Sequence, residues 1–188
     1  NPITALTINA GSSSANGYWM ETKAGTTTLT ARSTTVLAHP LNASADIVLS
    51  AGAPKTLEWI GVPQWTYATF AFGPMSLVVK DVYGNLAKVT TAVPVDLSMS
   101  VVTDEQFSLA QNFSSTITRV TFPVNTNRIN GIYAKTRTTG GFIDLIANAV
   151  DTTISDASDT FESRAMPATT LRLATTDTTP KAGQCLPV

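Results

Sequence analysis

At 188 residues the chain has room for one large or two small domains around a hydrophobic core. Charged residues make up only 13% against 43% hydrophobic, and Thr, Ser, Asn and Ala fill the gap, a composition that favours sheet because Thr is β-branched and suits a pleated, half-exposed surface. A formal net charge of -1, with the 12 Lys and Arg scattered, leaves no basic stripe for phosphates, and no apolar run approaches the ~20 residues that cross a bilayer, which argues against nucleic-acid binding and a membrane-spanning helix.

The chain opens on Asn1-Pro2-Ile3 with neither an initiator Met nor a signal peptide, which reads as a processed leader or a window of a longer polypeptide. Leu6 and Ile8 alternate with polar residues and predict a first strand, followed by a turn at Gly11-Ser12-Ser13-Ser14. Gly17 to Glu21 predicts a second strand, Ala24-Gly25 a turn, and Thr26 to Arg32 a third strand. Ala45 to Ser50 and Met75 to Lys80 are strand-like. Asp81-Val82-Tyr83-Gly84-Asn85 is then a tight connection, with Asp81 able to cap it and Gly84 free to take positive φ. Leu86 to Ser100 alternates as one long strand or two short ones, with Pro94 marking an edge or a break.

The early pattern then returns. Ile117-Thr118-Arg119-Val120-Thr121-Phe122 sets against Ile3-Thr4-Ala5-Leu6-Thr7-Ile8, and Asn130-Gly131-Ile132-Tyr133 against Asn16-Gly17-Tyr18-Trp19. Thr136-Arg137 meets Thr22-Lys23, and after two extra residues at Gly140-Gly141, Leu145-Ile146-Ala147 meets Leu29-Thr30-Ala31. Val120, Phe122, Ile132 and Leu145, with Leu77 and Val79, are expected to face inward. Period-2 alternation with regular Gly/Ser/Asn punctuation, and no dozen-residue helical pattern, predicts an all-β chain of antiparallel sandwich type.

These segments resemble a known family. Thr4 to Ser14, Gly17-Tyr18-Trp19 and Thr22 to Ala31 are similar to the C-terminal half of the bacterial immunoglobulin-like (Big/invasin-like) repeat of large surface and extracellular proteins. Val78-Val79-Lys80-Asp81-Val82-Tyr83-Gly84-Asn85 resembles the Asp-x-x-Gly-Asn turn in the middle of that repeat, and Lys181-Ala182-Gly183-Gln184-Cys185 a segment of its first half. The segments from Thr56 to Ala68 and from Asp151 to Pro167 fit less well. The resemblance implies immunoglobulin-like sandwich repeats: 1–33 as late strands of one module, 34–150 as a complete module, and 151–188 as a linker with early strands of a further one. Half-modules cannot bury their faces alone, so Ile3, Leu6, Ile8, Tyr18, Trp19, Leu171, Leu173 and Cys185 are the expected inter-subunit or intermodule residues.

Catalytic residues are not expected. His39 is the single histidine, no Gly-x-Ser-x-Gly elbow accompanies it, and one His with the single Cys185 cannot complete a zinc site. Asp151, Asp156 and Asp159 form the one acidic cluster; calcium is the cation they would take, and a solvated linker is the preferred reading, so no cofactor is assigned. Trp59, Trp65, Tyr67, Phe70 and Phe72 are the most aromatic stretch, with Trp59, Trp65 and Tyr67 the candidate ligand-binding residues against a plain core-facing alternative. Asn42-Ala43-Ser44 and Asn112-Phe113-Ser114 fit the glycosylation sequon without further support. The expected function is a non-enzymatic structural or adhesive module of an extracellular or cell-surface fibre or stalk, associating with itself or with neighbouring repeats. The alternative is a lectin-like module that uses the Trp59–Phe72 stretch on a glycan or cell-surface ligand.

Overall fold

A computed structural model describes residues 5–34, 41–100 and 104–168. Eleven strands and no helix occur among these residues: β1 Gly25–Arg32, β2 Asn42–Leu49, β3 Thr56–Ile60, β4 Trp65–Tyr67, β5 Phe72–Lys80, β6 Val93–Met99, β7 Gln106–Ser108, β8 Arg119–Phe122, β9 Arg128–Lys135, β10 Gly141–Ala149 and β11 Ala157–Arg164. Nine of them build two sheets, in the orders β4-β11-β10-β6-β8 and β3-β5-β9-β7, while β1 and β2 pair only with each other.

Alternation decides which side of each strand faces inward. On β6, Val93, Val95, Leu97 and Met99 are buried while Pro94, Asp96 and Ser98 are half-exposed. On β10, Ile143, Leu145 and Ala147 take the buried phase, and β5 contributes Met75, Leu77 and Val79 from the opposite sheet. The two inner faces form one core, in which Phe72 of β5 meets Phe161 of β11 with ring centroids 4.7 Å apart. All six residues expected inside are buried: Val120, Phe122, Ile132, Leu145, Leu77 and Val79. Near the start of β5 a bulge displaces the register with β9, and at Gly73 (φ 123°) a Cβ would lie 2.7 Å from the Ile132 carbonyl oxygen, so only glycine fits there.

The expected all-β antiparallel sandwich is present, with one exception: β4 runs parallel to β11 as a short edge strand. Four expectations are corrected. Residues 5–24 form no strand although two were expected there; the chain does turn near Gly11, with Ser12 N–H donating to Asn9 O at 3.0 Å. The boundary placed at 33/34 falls between β1 and β2, which pair along their whole length from Gly25↔Leu49 to Arg32↔Asn42. That placed at 150/151 falls between β10 and β11, and Phe161 of β11 is fully buried in the core, so the strand extends the same sandwich rather than opening a new one. Pro94 marks neither an edge nor a break. It sits second in β6, an interior strand between β10 and β8, where its carbonyl still accepts from Val150 N–H.

Candidate binding surface and arm junction

Residues 5–23 lie outside every sheet and carry exposed apolar side chains: Leu6 at 54%, Ile8 at 57%, Tyr18 at 99%, Trp19 at 42% and Met20 at 86%. The two limbs of this arm approach each other, since a Cβ on Gly17 would sit 3.0 Å from Leu6 Cδ1. Leu6 and Ile8 share one phase, and Tyr18 and Met20 another, the two-residue spacing of strands that bury one face.

The arm is held to the sandwich by the turn after β5. Asp81 is 2% exposed, and its carboxylate accepts from Gly52 N–H at 2.7 Å, from Tyr83 and Asn85 N–H at 2.9 Å each, and from Asn85 Nδ2 at 2.9 Å. These donors, the Asn85 side chain first, hold its pKa down to about 2, below the ordinary carboxylate value. Asn85 faces the other way as well: its Oδ1 accepts from Ala24 N–H at 2.9 Å and its Nδ2 donates to Thr22 O at 2.7 Å. Gly84 has φ 84° and closes the turn. One Asp-x-x-Gly-Asn turn thus fastens both the end of the arm and the segment after β2.

A second surface lies on the outer face of the five-stranded sheet. The aromatic stretch divides: Trp59 and Phe72 are buried at 5% and 7%, whereas Trp65 is 44% and Phe70 51% exposed, with Tyr67 between. The assignment of Trp59 to a ligand platform is therefore corrected, because β3 alternation turns its ring into the core opposite Leu77. Trp65 and Tyr67 meet edge-to-face at 5.3 Å, and Tyr67 and Phe70 at 6.5 Å. Arg164 lies over the Trp65 ring at 4.8 Å and donates to Glu162 Oε2 through Nε at 2.9 Å and Nη2 at 2.6 Å. The guanidinium lowers the pKa of Glu162, and the carboxylate raises that of Arg164. Glu162 pairs in register with Trp65 on one side and Phe142 on the other, so the three share the outer face; Phe142 is 79% exposed. Phe142 was not foreseen as part of this surface, though the phase that sends Leu145 inward sends Phe142 outward.

The acidic residues are not brought together. Asp151 accepts from Thr153 N–H and hydroxyl, Asp156 from Ala149 N–H and Asp159 from Thr160 N–H, so each stabilises its own turn or strand end. No group of three His, Cys, Asp or Glu suited to a metal occurs among the described residues. Nor does any helix among them have the length and apolarity to cross a membrane. Ile3, His39, Leu171, Leu173 and Cys185 lie outside the described residues.

No protein-family model matches the chain, and no curated protein matches it. Among solved structures it is similar to a glycosyl hydrolase family 2 member from Bacteroides cellulosilyticus, at 16% identity and a TM-score of 0.44 over 73% of this chain and 17% of that one. It is similar also to a family 2 member from Bacteroides cellulosilyticus DSM 14838, at 16% identity and a TM-score of 0.40 over 71% of this chain and 18% of that one. The chain thus spans less than a fifth of the length of either structure, and likenesses this low transfer neither activity nor substrate to it.

Proposed function

We propose that the chain is a non-catalytic structural module of an extracellular assembly, an immunoglobulin-like sandwich whose arm, residues 5–23, completes the sandwich of a second copy. The observation that carries this reading is the arm itself. Leu6 and Ile8 alternate with a polar residue and Tyr18, Trp19 and Met20 run consecutively, yet none of them packs in a sheet, and Asn85 ties the arm's end to the sandwich. Such side chains left in water forgo roughly 1.5–3 kcal/mol each on burial, a drive toward a neighbouring apolar face. A head that inserts into the next copy makes a heterologous contact that propagates into a fibre.

Sedimentation velocity of the intact chain against one lacking residues 1–23 tests this. The intact chain is expected to associate in a concentration-dependent way and the shortened one to stay monomeric with its cooperative melt retained. Equal association of both would overturn it.

A further inference from the structure

We infer that the outer face of the five-stranded sheet, at its β4 edge, is a binding site for a neutral oligosaccharide. This inference goes beyond the structural role above and is independent of it. Trp65, Tyr67, Phe70 and Phe142 present aromatic surface on one solvent-facing side of a chain with only 7% aromatic residues. Trp65 and Phe142 stand two strands apart on the same face, roughly 10 Å at the usual strand spacing, with Glu162 between them. That is a span comparable to a disaccharide unit.

The backbone is strained to build the patch. Thr69, a β-branched residue, holds φ 72°, a conformation such residues rarely adopt. It is fixed there by its N–H to Thr136 O at 2.7 Å, by Ala68 N–H to Arg164 O at 2.9 Å, and by the turn that returns Phe70 N–H to Tyr67 O at 3.2 Å. The outcome is Phe70 against Tyr67, extending the aromatic surface beyond the strand end.

The polar groups select the occupant. Aromatic faces stack on the C–H faces of pyranose rings, while Arg164 donors and Glu162 acceptors match vicinal hydroxyls that both donate and accept. The pair cancels in charge, which suits a neutral glycan and offers no counter-charge to an acidic or basic peptide. A purely apolar partner would leave the Glu162–Arg164 pair desolvated without compensation.

The test is binding of the intact chain to immobilised neutral hexasaccharides of β-glucan, α-mannan and N-acetylglucosamine type, with Trp65→Ala and Phe142→Ala beside a control, Leu109→Ala, an exposed apolar residue elsewhere (56%). The inference expects retention of at least one of the three sugars, weakened about tenfold or more by either aromatic substitution and unchanged in the control, with unaltered melting temperatures. No retention of any of them, or retention indifferent to both substitutions, overturns it. So does self-association abolished by Trp65→Ala without sugar binding, which would make this face a contact between copies.

Discussion

Trp59 and Trp65 sit on successive strands and face opposite environments, so truncating each has a different consequence. Trp59→Ala removes a ring packed against Leu77 in the core and is expected to cost about 3–5 kcal/mol. Trp59→Phe is expected to cost much less, because the buried Trp59 Nε1 has no hydrogen-bond partner and the substitution removes it. Trp65→Ala gives up only surface contacts with Arg164 and Tyr67 and should change stability by less than about 1 kcal/mol. Chemical denaturation of the three variants separates these outcomes. Asp81 supplies a pH prediction. Its folded-state pKa is depressed to about 2, so its contribution is fully present above the unfolded carboxylate value and is lost as pH falls through about 2. The difference in melting temperature between the parent and Asp81→Asn is expected to hold steady at neutral pH and to narrow from about pH 4 downward. A difference independent of pH would contradict the cause assigned to the shift.

At the scale of elements, β5 and β6 hold the sandwich together from opposite sheets. Leu77→Asp places a charge with no partner among Trp59, Val79 and their neighbours, and is expected to cost several kcal/mol, a large share of the stability of a domain this size. Thermal melting should show the loss, and a melt equal to the parent's would contradict the β5 phase. These strands were legible from alternation alone: the buried phase of β6 and the inward six residues follow from spacing two. Residues 5–24 show where the same signal stops. Leu6, Ile8, Tyr18 and Met20 carry strand phase, but a strand forms only against a partner, and the alternation does not say whether one is within reach. The β4–β11 parallel pair was illegible for a related reason. It joins Trp65–Tyr67 to Glu162–Arg164 across most of the chain, and no local pattern specifies a distant parallel neighbour. The same pairing assembled the aromatic face from two distant segments, so the sequence showed Trp65 and Tyr67 but not Arg164 or Phe142 beside them.

At the scale of the molecule, a well-filled sandwich carries two appendages that bury little: the β1–β2 ribbon, in which Val48 is 76% exposed, and the arm before it. The Asp81–Asn85 turn fixes both at their base, so the direction of the arm is set by the sandwich that bears it. Asn85→Ala removes the bonds to Thr22 and Ala24 together with the Nδ2 bond to the buried Asp81 carboxylate, so it is expected to lower both the sedimentation coefficient of the associated protein and, by about 1–3 kcal/mol of unfolding free energy, the melting temperature. The central claim is that residues 5–23 find their burial in another copy. Amide hydrogen exchange of those residues, followed from dilute to concentrated protein, measures it directly. The account predicts little protection of residues 5–23 at high dilution and strand-like protection once copies associate, beginning around Leu6–Ile8 and Tyr18–Met20. Exchange of the arm that stays as fast in the concentrated, associated protein as in the dilute one would contradict it.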